Sequence, residues 1–103
     1  MEEVLKEKIT ELIKELKPEI RDRAAFKFGD YKFEDNKLVL ADTAFLTKPP
    51  VITFYLQSIA RIAVDKNVLK QIISHEIIHT FSKSERQAYG KQNKMNIFQE
   101  PKL

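Results

Sequence analysis

The chain is predicted to fold as one small α+β domain over residues 1–103. Its length of 103 residues suits a single domain. Apolar residues recur at helical spacing near the start, alternate with polar residues between about residues 25 and 56, and return to helical spacing after residue 65. This order predicts an N-terminal helix, a small three-stranded sheet and two further helices.

The N-terminal helix is predicted over Glu2–Lys17. Its apolar residues recur at three- and four-residue intervals and so form one stripe, which a chain this small needs for its own core. Pro18 is expected to end the helix. The stripe consists of Leu5, Ile9, Leu12, Ile13 and Leu16.

The sheet is predicted from period-two alternation that begins at Ala25. Asp35-Asn36 is typical of a tight turn, which would connect the first strand to a second at Leu38–Ala41. The apolar and aromatic run Val51–Leu56 is the third strand. Because Pro49 and Pro50 precede it, this strand is expected at a sheet edge.

Two helices are predicted in the second half of the chain. Asp65 is a suitable N-cap for a long helix over Lys66–Phe81, whose apolar content indicates that it is the centre of the fold. Ser84 and Gln87 have the spacing of a capping box, which predicts a further helix from Ser84.

Composition excludes several functional classes. The net charge of +3 comes from 18 basic and 15 acidic residues that are interleaved, so no basic patch indicates nucleic-acid binding. No apolar run approaches the roughly 20 residues of a membrane span, and no signal peptide is evident. We expect a soluble cytoplasmic protein of open oligomeric state. Abundant lysine and glutamate with no cysteine suit a hot environment.

The only two histidines lie in one pentapeptide, His75-Glu76-Ile77-Ile78-His79. Four residues advance a helix by about 400°, so both imidazoles face one side and can bind one zinc ion. Glu76 lies about 100° further round, where it can act as general base toward a metal-activated water. The HExxH spacing therefore predicts a catalytic metal centre. The alternative is a buried helix whose histidines are merely hydrogen-bonded.

A third zinc ligand must be a carboxylate, because the chain has no further histidine and no cysteine. Only Glu85 and Glu100 follow the motif. Glu85 is preferred, since it lies on the first turn of the next helix and Glu100 lies near the chain end. The alternative is that Glu85 only stabilises its helix N-terminus.

His75-Glu76-Ile77-Ile78-His79 followed by Glu85-Arg86-Gln87-Ala88-Tyr89 resembles the gluzincin metallopeptidases, and in size the minigluzincin family of thermophilic prokaryotes. The resemblance extends over most of the chain. It implies a minimal zincin-like fold, zinc, peptide-bond hydrolysis, a base at Glu76, and ligands at His75, His79 and Glu85. Larger relatives place the ligand glutamate further from HExxH, and many have Asp or Asn where this chain has Tyr89.

The same resemblance implies that a peptide substrate adds to the edge strand before the active-site helix. Phe54 and Tyr55 are then candidates to border the cleft, with core filling as the alternative. Tyr89 is a candidate partner of a ligand histidine, and a packing role is the alternative. An oxyanion stabiliser is also needed, and Tyr31, Tyr55 and Tyr89 are the available tyrosines.

The C-terminal segment 94–103 is apolar for a free tail. We expect it to lie in the cleft and keep the enzyme latent, as C-terminal segments do in minigluzincins, with Phe98, Glu100 and Leu103 as the candidate residues. The alternative is that the segment packs elsewhere or is disordered.

The leading hypothesis is a zinc-dependent endopeptidase that acts on peptides or proteins and is encoded as a zymogen. The alternative is a zinc- and peptide-binding module without catalysis. Glu76 favours the enzyme, because zinc binding alone needs no base at that position.

Overall fold

The computed structural model describes residues 2–62, 65–90 and 97–99, without the side chain of residue 90, and forms a small mixed α+β domain. In these ranges it has five helices, a three-stranded sheet and a separate two-stranded sheet. The elements are α1 Glu2–Lys14, α2 Pro18–Arg21, β1 Ala25–Gly29, β2 Phe33–Glu34, β3 Lys37–Leu38, β4 Ala41–Ala44, β5 Val51–Tyr55, α3 Leu56–Ile59, α4 Lys66–Ile78 and α5 Lys83–Gly90.

The larger sheet has the strand order β1-β5-β4, parallel between β1 and β5 and antiparallel between β4 and β5. The prediction that Val51–Leu56 lies at an edge is therefore wrong. Pro49 and Pro50 precede the strand and remove none of its own N–H groups, and the carbonyl of Pro50 even accepts from the Ala25 N–H at 2.9 Å. The edge strands are β1 and β4.

The turn at Asp35-Asn36 is confirmed, but it closes a hairpin of β2 and β3 outside the larger sheet. Both residues have positive φ, 52° and 60°. A two-residue hairpin turn of type I′ has positive φ at both central positions, and Asp and Asn tolerate that conformation better than other non-glycine residues.

α1 supplies one side of the core, as its stripe predicted. It ends at Lys14 rather than Lys17, and Pro18 is at the start of the short helix α2. Proline suits that position because the first N–H groups of a helix have no partner within it. The buried residues of α1 are at most 4% exposed: Leu5, Ile9 and Leu12.

α4 packs its apolar face into the core and so fixes the orientation of its other face. Leu69, Ile73 and Ile77 are at most 1% exposed. The Asp65 carboxylate accepts from the Val68 N–H at 2.9 Å, which confirms the predicted N-cap. The helix ends at Ile78, and His79 is its C-cap.

Residues 97–99 pair with the segment that follows α1. The Lys17 N–H donates to the Ile97 carbonyl at 2.9 Å, and the Gln99 N–H donates to the Glu15 carbonyl at 2.7 Å. Ile97 and Phe98 are 1% and 6% exposed, so this part of the C-terminal segment belongs to the core.

Candidate metal centre

The two histidines lie at the solvent-facing C-terminal end of α4. Their Nε2 atoms are 3.3 Å apart, and the rings meet nearly at right angles. Both side chains are exposed, and the contact between their Nε2 atoms is within hydrogen-bond distance, so the helix is buried on one face while its histidines face solvent. Both imidazoles therefore lie on one side of the helix with their Nε2 atoms close together, as the four-residue spacing predicted.

The separation of the two nitrogens fits a tetrahedral zinc ion. Zinc–nitrogen bonds of about 2.0–2.1 Å at a tetrahedral angle place two ligand nitrogens about 3.3 Å apart. The observed Nε2–Nε2 distance is 3.3 Å. The distance between the two nitrogens is thus the one that a tetrahedral zinc ion requires of a pair of ligands.

Glu76 completes the cluster from below. One ligand atom from each of His75, Glu76 and His79 lies within 4.8 Å of the other two, and within the described residues these three side chains form the group that could hold a metal ion. Glu76 is only 6% exposed. The hydroxyl of Thr43 on strand β4 donates to its Oε1 at 2.8 Å. A single buried carboxylate thus lies beside two exposed imidazoles.

Glu85 is not in this cluster, because both of its oxygens have other partners. Oε2 pairs with the Arg23 guanidinium, and Oε1 accepts from the Ser82 N–H at 2.9 Å. The Ser82 hydroxyl in turn accepts from the Glu85 N–H at 3.3 Å. Ser82 and Glu85 therefore form the capping box of α5, and the prediction of Ser84 and Gln87 for this role is wrong by two residues.

Arg23 ties α5 to the rest of the domain. Besides its pair with Glu85, its guanidinium stacks over the Phe81 ring at 4.8 Å. The Arg23 ion pair and the Ser82 N–H lower the pKa of the Glu85 carboxyl from 4.5 to about 2. These contacts agree with the alternative that Glu85 stabilises its helix.

Phe54 and Tyr55, the predicted cleft residues, lie on opposite faces of β5. Phe54 has no exposed surface and packs against Phe26 and Phe28 at centroid distances of 6.3 and 6.2 Å, so it fills the core. Tyr55 faces away from α4, since Ile52 and Phe54 alternate with it and are buried. The structure therefore places neither side chain beside the histidines.

Tyr55 belongs to a polar cluster on that outer face. Its hydroxyl donates to Oδ2 of Asp42 at 3.0 Å, and the ammonium of Lys32 lies 2.6 Å from the same oxygen. Burial and the Asp42 carboxylate raise the pKa of Tyr55. The hydrogen bond from Lys32 to Asp42 raises the pKa of Lys32. Asp42 is paired with both groups, so the cluster is internally satisfied.

Tyr89 and Phe98 each contact residues other than the histidines. The ring of Tyr89 packs against Phe81 at 5.3 Å, which is the packing alternative. The Lys70 ammonium lies over the Phe98 ring at 5.1 Å. Lys70 precedes His75 by five residues, so it lies roughly 140° round α4. Phe98 is 6% exposed and packs with the core, which is the alternative that the segment packs elsewhere.

Glu100 and Leu103, the other two latency candidates, lie outside the described residues.

Thr43 was missed by sequence reasoning. Its only signal is that of a β-branched residue suited to a strand, and nothing local indicates that it faces Glu76, which is 33 positions away.

No known family, curated protein or solved structure matches this chain. The minigluzincin resemblance thus stays a prediction from the quoted residues. None of the helices in the described ranges is long and apolar enough to cross a membrane.

Proposed function

We propose that this chain is a zinc-dependent peptide hydrolase. The observation that carries the proposal is the 3.3 Å separation of the His75 and His79 ring nitrogens, with the buried carboxylate of Glu76 beside them. Imidazole nitrogen is a ligand that zinc prefers, and a carboxylate close to the ion is what hydrolysis requires of a base.

In this proposal His75 and His79 hold the ion through Nε2. When bound, zinc supplies a Lewis acid that makes water nucleophilic near neutral pH. Glu76 accepts a proton as the water oxygen attacks the peptide carbonyl carbon. It then delivers that proton to the amide nitrogen, and the carbon–nitrogen bond breaks to release a carboxylic acid and an amine.

Glu85 is proposed as the third protein ligand, a role that requires it to exchange partners. Its carboxylate must leave the Arg23 guanidinium and the Ser82 N–H, which it binds in this structure. The connection between the two helices is short, because only four residues separate Ile78 at the end of α4 from Lys83 at the start of α5. The free energy of the Arg23 pair then opposes metal binding.

We infer that a peptide substrate adds to the free edge of β4. β5 has a neighbour on both sides, whereas β4 pairs with β5 alone among the described strands. Thr43 on β4 contacts Glu76, so this edge runs beside the cluster. A backbone added there would use the unpaired N–H and C=O groups of the strand.

The test measures zinc content and peptide cleavage together. Zinc-loaded wild type should cleave a library of quenched-fluorescent peptides, and Glu76→Gln should retain zinc but lose about 10²–10⁴-fold in rate, the usual contribution of a general base. Glu19→Gln, on the exposed surface of α2, is the matched control and should match wild type. Equal activity of Glu76→Gln and wild type would refute the mechanism.

The alternative is a module that binds zinc and peptides without cleaving them. The same measurements separate it from the enzyme, because it predicts stoichiometric zinc and no cleavage that depends on Glu76. A chain that takes up no zinc at all would exclude both.

A further inference from the structure

We propose that Thr43 is the positioning residue for Glu76, an inference that rests on the proposed peptidase function. The Thr43 hydroxyl donates to Oε1 of Glu76 at 2.8 Å. Glu76 is buried, and a buried carboxylate depends on its few hydrogen bonds to fix its direction. A base that must lie within reach of one water needs such a fixed direction.

Thr43 is itself held firmly. In β4 it pairs with Ile52 of the central strand, and Ile52 has no exposed surface. A β-branched side chain has few accessible rotamers, so the hydroxyl direction follows from the strand. Through this hydrogen bond, the position of the sheet fixes the position of the Glu76 carboxylate.

The contact also joins the two parts of the proposed site. β4 carries the free edge on which a peptide would lie, and α4 carries the base and the histidines. Thr43 is the residue through which the edge strand touches Glu76. The base is thus fixed relative to the same strand that would position the scissile bond.

The experiment compares Thr43→Val, Thr43→Ser and Thr53→Val as zinc-loaded proteins on one peptide substrate. Valine keeps the shape of threonine and removes the hydroxyl, whereas serine keeps the hydroxyl. Thr53 is the matched control, since it is also half-buried on a neighbouring strand but pairs with Asp42 on the opposite face of the sheet. Zinc affinity is measured alongside kcat and KM.

Thr43→Val should lower kcat by about 10–100-fold, the usual cost of losing such a supporting hydrogen bond. KM should change less than about 3-fold and zinc affinity should not change, because Thr43 binds neither substrate nor metal in this proposal. Thr43→Ser should recover most of the rate, and Thr53→Val should match wild type. A general structural defect would instead affect zinc affinity and KM together and would not be rescued by serine.

The inference is overturned if Thr43→Val keeps the wild-type kcat, or if Thr43→Ser is as slow as Thr43→Val. Those results are distinct from failure of the proposed function. If the proposed function itself fails, wild type will show no cleavage that Glu76→Gln abolishes. The role of Thr43 would then be withdrawn together with the peptidase function.

Discussion

The sequence predicts that the HExxH end of α4 holds the metal and that the segment after it supplies a third ligand and an inhibitory tail, and the side chains of these two regions have different contacts. On α4, His75 and His79 are exposed and their ring nitrogens face each other. In the downstream segment, defined here as α5 and residues 97–99, each predicted site residue contacts the rest of the domain. Glu85 pairs with Arg23, and Phe98 lies in the core.

The difference shows which features leave a side chain available for a ligand. The histidines lie opposite the buried face of α4, so packing of that face orients them, and their Nε2 atoms contact each other at the surface. Glu85 also caps the helix it begins, and its charge lies within reach of a guanidinium from a distant part of the chain. Before it can bind a metal, the Glu85 carboxylate must leave both a guanidinium and a backbone N–H, whereas the exposed imidazoles contact only one another's Nε2 atoms among the hydrogen bonds described.

The largest effect is expected from removing a core side chain of the downstream segment. Phe98→Ala should lower the free energy of unfolding by about 3–5 kcal/mol, the usual cost of deleting a buried phenylalanine. Urea unfolding of the metal-free protein measures this. Phe45, which is 60% exposed, gives the control Phe45→Ala, with an expected change within about 0.5 kcal/mol. If Phe98→Ala changed the free energy of unfolding as little as the control and also raised peptidase activity, Phe98 would belong to an inhibitory tail and not to the core.

At the HExxH end of α4, removing a histidine is expected to lower zinc affinity and leave stability nearly unchanged. His79→Ala should reduce zinc affinity by more than the roughly 10–100-fold that loss of a supporting hydrogen bond costs. Stability of the metal-free protein should change by less than about 0.5 kcal/mol, because the side chain is exposed. Competition with a chelating dye measures the affinity. Gln71→Ala, at an exposed position about two turns before His79 on α4, is the control, and equal zinc affinity in the two variants would contradict the site.

Sequence patterns predicted the parts of the fold and site that depend on one element. The α1 stripe, the Asp65 cap, the Asp35-Asn36 turn and the convergence of His75 and His79 each follow from spacing within a few residues. The central place of β5 depends on parallel pairing with β1, which no local pattern encodes. The same holds for Arg23, which finds Glu85 across 62 positions, and for Thr43, which finds Glu76 across 33.

A smaller and opposed pair of effects tests whether Glu85 exchanges partners. Glu85→Gln should destabilise the fold by about 1–2 kcal/mol, through the capping box and the partly exposed ion pair, and should also weaken zinc binding. Arg23→Gln should destabilise by about 1 kcal/mol yet strengthen zinc binding several-fold, because it frees the carboxylate. The exposed pair of Lys14 and Glu11 supplies the controls Lys14→Gln and Glu11→Gln, which should change neither quantity. Unchanged zinc affinity in Glu85→Gln would make Glu85 purely structural.

The smallest effect is the pH dependence of the same carboxylate. The pKa of Glu85 is about 2 in the folded chain, below its ordinary value of 4.5, so the folded state binds its proton less readily than the unfolded state does. The stability from this group is therefore complete above about pH 4.5 and is lost as pH falls toward about 2. It amounts to at most about 1 kcal/mol, because the pair is a third exposed and water screens it. Urea unfolding of the metal-free wild type and Glu85→Gln between pH 6 and pH 2.5 isolates the group, since every other carboxylate titrates in both proteins. The stability difference should narrow steadily below pH 4.5; a constant difference would mean that the cap and not the charge of Glu85 stabilises α5.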